Sequence, residues 1–143
     1  QGIHTLRYAF VPGAEIADAV REGYLINLPG RQVGSAAAAS VQPLLAVDNQ
    51  AVVIEAVKLA DDRSGDLVVR LYESRGGRAN VRLTSDFTVA AATLTDLLER
   101  PLTGARQPSV TDCNSVGLSF RPFEISTLRL SWVTGTSPSS GIR

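Results

Sequence analysis

The chain has few or none of several residue types, and each shortage limits what it can do. It has one cysteine, Cys113, so no disulfide can form within its 143 residues, and it has no methionine. Since a complete gene product normally begins with methionine, we expect a piece of a longer polypeptide. No apolar run approaches the roughly 20 residues that span a bilayer, and the first residues do not resemble a signal peptide.

An excess of either charge is also missing. Basic and acidic residues balance to a formal net charge of zero, and Lys58 is the only lysine. Because there is no basic excess to release counterions, we expect no binding to nucleic acid or to an anionic membrane. A neutral ligand or a protein partner fits this charge better. The preference for arginine indicates a GC-rich coding genome, from which we expect a bacterial, cytoplasmic protein.

Apolar and polar residues alternate along much of the chain, as is typical of half-buried strands. Residues 52–77 contain two segments rich in Val, Leu and Ile around a polar insert, Asp61–Asp66, which predicts a long β-hairpin. Residues 80–87 and 116–120 alternate cleanly. Residues 3–12 also predict a strand, because Leu6, Tyr8 and Phe10 share one face.

Two other patterns complete the predicted fold. Residues 14–25 carry apolar side chains at four-residue steps, which predicts a short helix, and a change of apolar phase near Ser126 and Thr127 predicts a β-bulge. We therefore predict an all-β fold, an antiparallel β-sandwich of about eight strands with one short helix near the N-terminus. It forms one domain over residues 1–143, with a disordered tail from about residue 134.

The sequence gives little support to a metal site. His4 and Cys113 are far apart, and no spacing typical of zinc ligands occurs. Asp61, Asp62 and Asp66 do not match a calcium-binding loop, and turn chemistry explains them without an ion. We predict no metal ligands and no cofactor in this chain, and we interpret Cys113 as a free thiol.

Glycoside hydrolysis needs two carboxylates across a cleft. The candidate residues lie in or beside strands, where we expect outward-facing or ion-paired side chains. They are Glu55, Glu73, Glu99 and Glu124. We predict no catalytic residue here and leave substrate-binding residues unassigned. Aromatic side chains could stack on a sugar, but their spacing favours the core; they are Trp132, Tyr8, Tyr24, Tyr72 and Phe87.

The chain carries five motifs in order: HTLRYAFVP at residues 4–12, NLP at 27–29, VVIEAVKLADD with VVRLYESRGG over 52–77, DLLE at 96–99 and FRPFEISTL at 120–128. Together they resemble the C-terminal β-domain of glycoside hydrolase family 38 α-mannosidases. One departure is Gly13, which stands where family members commonly carry a histidine, so no role of that histidine transfers.

The resemblance implies a retaining α-mannosidase as the parent enzyme. In the family, a zinc ion holds the mannose hydroxyls and an Asp nucleophile forms the glycosyl-enzyme, both in an N-terminal catalytic domain absent from this chain. This chain, inactive alone, would support that domain and wall part of its substrate cleft, with an apolar patch on one sandwich face or rim. The partners implied are the catalytic domain, mannose-containing glycans and, alternatively, further copies in a homo-oligomer. The rival interpretations are an independent carbohydrate-binding module, which an exposed aromatic or polar groove would favour, and a structural interaction sandwich.

Overall fold

The computed structural model describes residues 2–28, 30, 42–104 and 107–132. The chain divides into two compact units, one covering residues 1–39 and the other residues 40–143. The predicted disordered tail, from about residue 134, lies outside the described residues.

The described part of the second unit is a sandwich of two four-stranded sheets whose paired strands are all antiparallel. Its strands are β1 (Leu45–Val47), β2 (Val52–Leu59), β3 (Leu67–Glu73), β4 (Ala79–Ser85), β5 (Val89–Thr95), β6 (Ser109–Thr111), β7 (Ser115–Phe120) and β8 (Ile125–Trp132). One sheet has the order β1-β4-β7-β6 and the other the order β2-β3-β8-β5. The predicted sandwich of about eight strands, with its central β2–β3 hairpin, is confirmed.

Alternation in the sequence becomes alternation of burial. Along β4 every second side chain is buried, so Val81 and Leu83 enter the core while Arg82 between them faces out. The sheets meet over a core whose largest fully buried side chains include Leu71, Leu83, Leu128 and Leu130. Each such side chain stabilises the fold by about 1.5–3 kcal/mol.

Two register shifts interrupt the ladders, and neither is at the predicted position. One lies between Ile54 and Ala56 of β2, so that Glu55 is the extra residue, and the other lies between Val89 and Ala91 of β5. The predicted bulge near Ser126 and Thr127 is wrong, because β8 pairs with β3 without a break from Ile125 to Leu130. The apolar phase changes there because Phe123 lies in the preceding turn and Ile125 faces outward.

The two edge strands of the β2-β3-β8-β5 sheet differ in whether their outer edge is covered. The edge of β5 is covered by the segment that follows it: Leu102 N donates to Leu94 O at 2.9 Å, and Leu94 N donates to the side chain of Gln107 at 2.7 Å. No described strand pairs with the outer edge of β2.

The first unit contains helix α1 (Ile16–Asn27), which confirms the predicted helix with ends two residues later. Asp18 accepts a hydrogen bond from Glu15 N at 3.1 Å, the type of contact that satisfies a free amide at a helix start. No described helix is long and apolar enough to cross a bilayer.

The strand predicted for residues 3–12 is wrong, since residues 2–11 have no regular secondary structure. A strand needs a neighbour for its backbone N–H and C=O groups, and none pairs with this segment in the described structure. Its apolar side chains stay 86–100% exposed at Ile3, Leu6, Tyr8 and Phe10.

Candidate functional site

A polar groove of about 770 Å³ crosses the β4–β7 side of the sandwich. Asn80 and Arg82 of β4 lie opposite Ser119 and Gly117 of β7, on the outer face of the sheet. The groove extends there because β6 pairs only with Ser115–Gly117, the first half of β7. Its further lining includes Asp48, Leu94, Gln107, Pro108, Ser109, Glu124 and Ser126.

Short hydrogen bonds hold the polar groups of this groove. Ser119 Oγ donates to Asn80 Oδ1 at 2.8 Å, Asn49 Nδ2 donates to Asn80 O at 2.9 Å, and Arg82 N donates to the Asp48 carboxylate at 2.8 Å. No salt bridge of the Arg82 guanidinium occurs within the described residues. The groove therefore presents amide, hydroxyl, cationic and carboxylate groups beside the apolar side chains of Leu94 and Leu118.

None of the five candidate aromatic side chains lines this groove. Phe87 is buried, and Trp132 is half-buried with its ring edge-on to Phe87 at 5.5 Å and 77°. Tyr72 and Tyr24 are half-buried. The core interpretation is confirmed for Phe87 and wrong for Tyr8, which is 91% exposed on a segment that no described strand pairs with.

Glu73 holds two loops together at one end of the sandwich. Its carboxylate accepts hydrogen bonds from the backbone N–H of Arg75 and Gly76, both at 2.8 Å, and of Phe123 at 3.0 Å. These bonds, that from Phe123 first, hold the pKa of Glu73 below its ordinary value. The side chain is only 1% exposed, so the expectation of an outward or ion-paired residue is wrong. It occupies a core-facing position at the end of β3, where backbone N–H groups replace a cation.

Gly76 and Phe123 meet beside this carboxylate. Gly76 has φ +74°, and a Cβ placed there would lie 2.6 Å from Phe123 Cζ. Glycine is therefore required both by the backbone conformation and by the close approach of the ring.

The other candidate carboxylates bind locally. Glu99 accepts from Lys58 Nζ at 2.6 Å, the main cause that lowers the pKa of Glu99, and Glu124 accepts from Arg121 N at 2.7 Å. Both agree with the expectation of ion-paired residues, since Arg121 Nε also lies 3.4 Å from Glu124. Glu55 is exposed at the bulge of β2.

The three aspartates of the β2–β3 turn bind cations of the chain itself. The Arg129 guanidinium lies 2.7 Å from Asp62 and 2.6 Å from Asp66, while Lys58 Nζ lies 2.6 Å from Asp61. Hydrogen bonds from Ser64, and then Arg129, lower the pKa of Asp62 to about 2. These contacts give the turn a structural explanation.

The zinc that the resemblance implies has no matching ligand set in the described part of the chain. No three His, Cys, Asp or Glu side chains gather there in a way that could hold a metal ion. His4 and Cys113 belong to different units, and both are exposed. The described residues therefore do not fit a zinc site.

Four exposed apolar side chains, Val57, Leu59, Leu97 and Leu98, flank the other end of β2; we call them the apolar rim. Val57 and Leu59 pair with Val69 and Leu67, so they point to the core face of the sheet, yet they are 41% and 62% exposed.

Glu99 joins the two segments of the apolar rim. Its carboxylate accepts from Lys58 Nζ at 2.6 Å and from Asp61 N at 2.9 Å, which ties the end of β2 to the loop carrying Leu97 and Leu98. Sequence reasoning expected an apolar patch without naming these residues, because valine and leucine in a strand indicate core.

Comparison with known families and proteins gives two findings. The family described as "Glycosyl hydrolases family 38 C-terminal beta sandwich domain" matches residues 51–128. The chain is also 34% identical over 136 residues to α-mannosidase 2C1 of Homo sapiens, and 33% identical over 137 residues to α-mannosidase 2C1 of Mus musculus. An α-mannosidase of Saccharomyces cerevisiae is 26% identical over 155 residues.

Each of these alignments covers 90% of this chain but only a small part of the relative. The chain spans 13% of the human and mouse proteins and 14% of the yeast protein. The matched span, residues 51–128, begins just before β2 and ends within β8.

Proposed function

The chain belongs to glycosyl hydrolase family 38, as its C-terminal β-sandwich domain, and on that premise we propose that it is a non-catalytic supporting domain of an α-mannosidase. The parent enzyme would hydrolyse α-mannosides with retention and with zinc, using residues in an N-terminal catalytic domain of the same polypeptide. A cytoplasmic location remains a prediction of the sequence, as does a bacterial origin, and the relatives compared are eukaryotic.

The observation that carries the supporting role is the apolar rim. Val57 and Leu59 occupy core-facing positions of a sheet and remain open to solvent, beside the exposed Leu97 and Leu98. An apolar surface of this kind favours burial against another protein surface. The Lys58–Glu99 salt bridge at 2.6 Å fixes both segments of the rim before any partner arrives.

The catalytic domain is the occupant we propose for the rim. Its family relatives are about seven times longer than this chain, so most of the polypeptide remains to cover the exposed side chains. The rim then supports the catalytic domain through packing, and the sandwich itself supplies no reacting group.

The test compares two charged substitutions in the full-length polypeptide. Leu59→Glu with Leu97→Glu should lower its thermal midpoint and its hydrolysis of a chromogenic α-mannoside, because the glutamates cannot be buried at the contact. The same pair in the 143-residue chain should change stability by less than about 0.5 kcal/mol, since both sites are exposed there.

The matched control is Thr84→Glu, on the outer face of β4 and away from the rim. It should leave midpoint and activity unchanged. Two results would contradict the proposal: full-length protein that does not hydrolyse α-mannosides, or a rim variant that behaves like the control.

A second function, carbohydrate binding, is favoured by the polar groove. Asn80, Arg82 and Ser119 offer donors and acceptors on a rigid sheet, and sugar hydroxyls match such groups. No aromatic platform lines the groove, which makes this the weaker candidate.

Titration of the chain with mannose and short manno-oligosaccharides, followed by backbone amide shifts, distinguishes the two functions. Shifts that cluster at Asn80, Arg82 and Ser119, and that disappear in Arg82→Ala, would establish a sugar-binding module. If no amide shifts up to millimolar sugar, the supporting role remains and the carbohydrate-binding function is rejected.

A further inference from the structure

The N-terminal segment Ile3–Phe10, which we call the arm, has the side-chain pattern of a strand without a strand's surroundings. From Thr5 onward, Leu6, Tyr8 and Phe10 alternate with Thr5, Arg7 and Ala9, so one side is apolar and the other polar or small. Ile3 and His4, at the start of the arm, do not follow this pattern. A strand patterned in this way lies with one face on a core and the other toward water. Its apolar side chains are nonetheless almost fully exposed.

The neighbouring helix α1 also has exposed apolar side chains. None of its twelve residues is buried, and Ile16 and Leu25 are both 61% exposed. A shallow hollow of about 270 Å³ lies between the arm and α1, lined by Tyr8, Val11 and Ile26 among others. Residues 2–28 of the first unit therefore carry two exposed apolar surfaces and no buried side chain.

The comparisons indicate which protein holds the missing core. The family span, residues 51–128, begins after the first unit, and no described strand pairs with the arm. The alignments with α-mannosidases cover 90% of this chain, and the uncovered tenth is smaller than the 39-residue first unit. Most of the first unit therefore aligns with these α-mannosidases. About seven eighths of each relative lies outside the aligned part.

We infer that the arm is a donated β-strand: it completes a β-sheet that belongs to the remainder of the same α-mannosidase polypeptide, with Leu6, Tyr8 and Phe10 in that sheet's core. The receiving sheet has an open edge of about eight residues and an apolar face beside it. Main-chain hydrogen bonds along the edge give the affinity, and pockets for alternate side chains set the register. This inference rests on the proposed function only for the identity of the polypeptide.

Hydrogen exchange followed by mass spectrometry tests the inference in two samples, the 143-residue chain and the full-length polypeptide. Amides of residues 3–10 should exchange freely in the chain. In the full-length protein, the alternate amides that face the receiving edge should be protected by about 100-fold or more, because pairing removes them from water. Fast exchange in both samples would overturn the inference. Protection that already occurs in the chain, and grows with its concentration, would overturn it in favour of a second copy.

Two double variants of the full-length protein test the proposed orientation. Leu6→Ser with Tyr8→Ser removes the buried side and should abolish protection of the arm. Thr5→Ser with Arg7→Ser changes the other side and should preserve it within about threefold. Equal effects of the two pairs would contradict the one-sided burial.

These outcomes are separable from a failure of the proposed function. If the full-length protein does not hydrolyse α-mannosides, the enzymatic assignment fails while the protection of residues 3–10 still decides the strand. If only the apolar-rim variants behave like wild type, the role of the rim fails and the arm is unaffected.

Discussion

Replacing Gly76 by alanine tests the junction at the Glu73 end of the sandwich. The left-handed φ of +74° costs a non-glycine residue about 1–2 kcal/mol. The new Cβ would also lie 2.6 Å from Phe123 Cζ, closer than real Cβ contacts, so the ring must move. Overpacking of this kind costs about 1–3 kcal/mol, and the 70% exposure of Phe123 gives the ring room to move. We expect a total loss of about 2–4 kcal/mol.

The assay is urea unfolding followed by the fluorescence of Trp132, the only tryptophan, whose ring packs on Phe87. Gly104→Ala is the matched control, because Gly104 has φ +78° and a Cβ added there would meet no atom within 4 Å. This variant should therefore lose only the backbone part of the unfolding free energy, about 1–2 kcal/mol. In a Phe123→Ala background, the loss of stability caused by Gly76→Ala should fall to the value found for Gly104→Ala. If Gly76→Ala and Gly104→Ala cost the same in the wild-type background, the ring contact does not constrain the junction.

Three further predictions concern other parts of the sandwich. Because the pKa of Glu73 is lowered in the folded state, the Glu73 carboxylate stabilises the fold above its unfolded pKa, and this stabilisation is lost as pH falls through the folded pKa. The Glu73→Gln variant should therefore lose less stability on acidification than wild type, measured as urea midpoint against pH. An equal loss in both proteins would contradict this. Leu71→Ala should lower the free energy of unfolding by about 2–5 kcal/mol in the same assay, because Leu71 is fully buried. Leu97→Ala, at an exposed position, should change it by less than about 0.5 kcal/mol. Similar losses in the two variants would refute the described core. In the Arg129→Ala variant, the pKa of Asp62 should rise from about 2 but stay below its ordinary value, because the hydrogen bonds from Ser64 remain. The pKa is measured by NMR titration of the carboxyl group. If the pKa does not rise, Arg129 has no part in lowering it.

The sequence predicted the elements whose pattern is local. Alternation in β4 and β7, and the two apolar segments around Asp61–Asp66, correspond directly to the observed strands and hairpin. These elements have one buried face each, so the two-residue period of a strand is visible in the residue types. The three-residue strand β6 was missed because it is too short to carry a period.

Features that depend on distant parts of the chain could not be predicted in this way. Glu73 in an apolar strand resembles a surface residue, and its partner Phe123 lies 50 residues away in sequence. The arm has a strand's pattern, but no pattern in one segment reveals whether a neighbouring strand exists. Val57 and Leu59 resemble core residues in the sequence, yet they are 41% and 62% exposed.

The bulge of β2 has a consequence for the protein in concentrated solution. An unpaired sheet edge is a template on which further chains can add as strands and grow into aggregates. At Glu55 the ladder shifts register, and Lys58 follows three residues later, so a straight incoming strand meets a kink and fixed charges instead of a regular row of hydrogen-bonding groups. The bulge and the charges therefore make the outer edge of β2, with which no described strand pairs, a poor template for fibre growth.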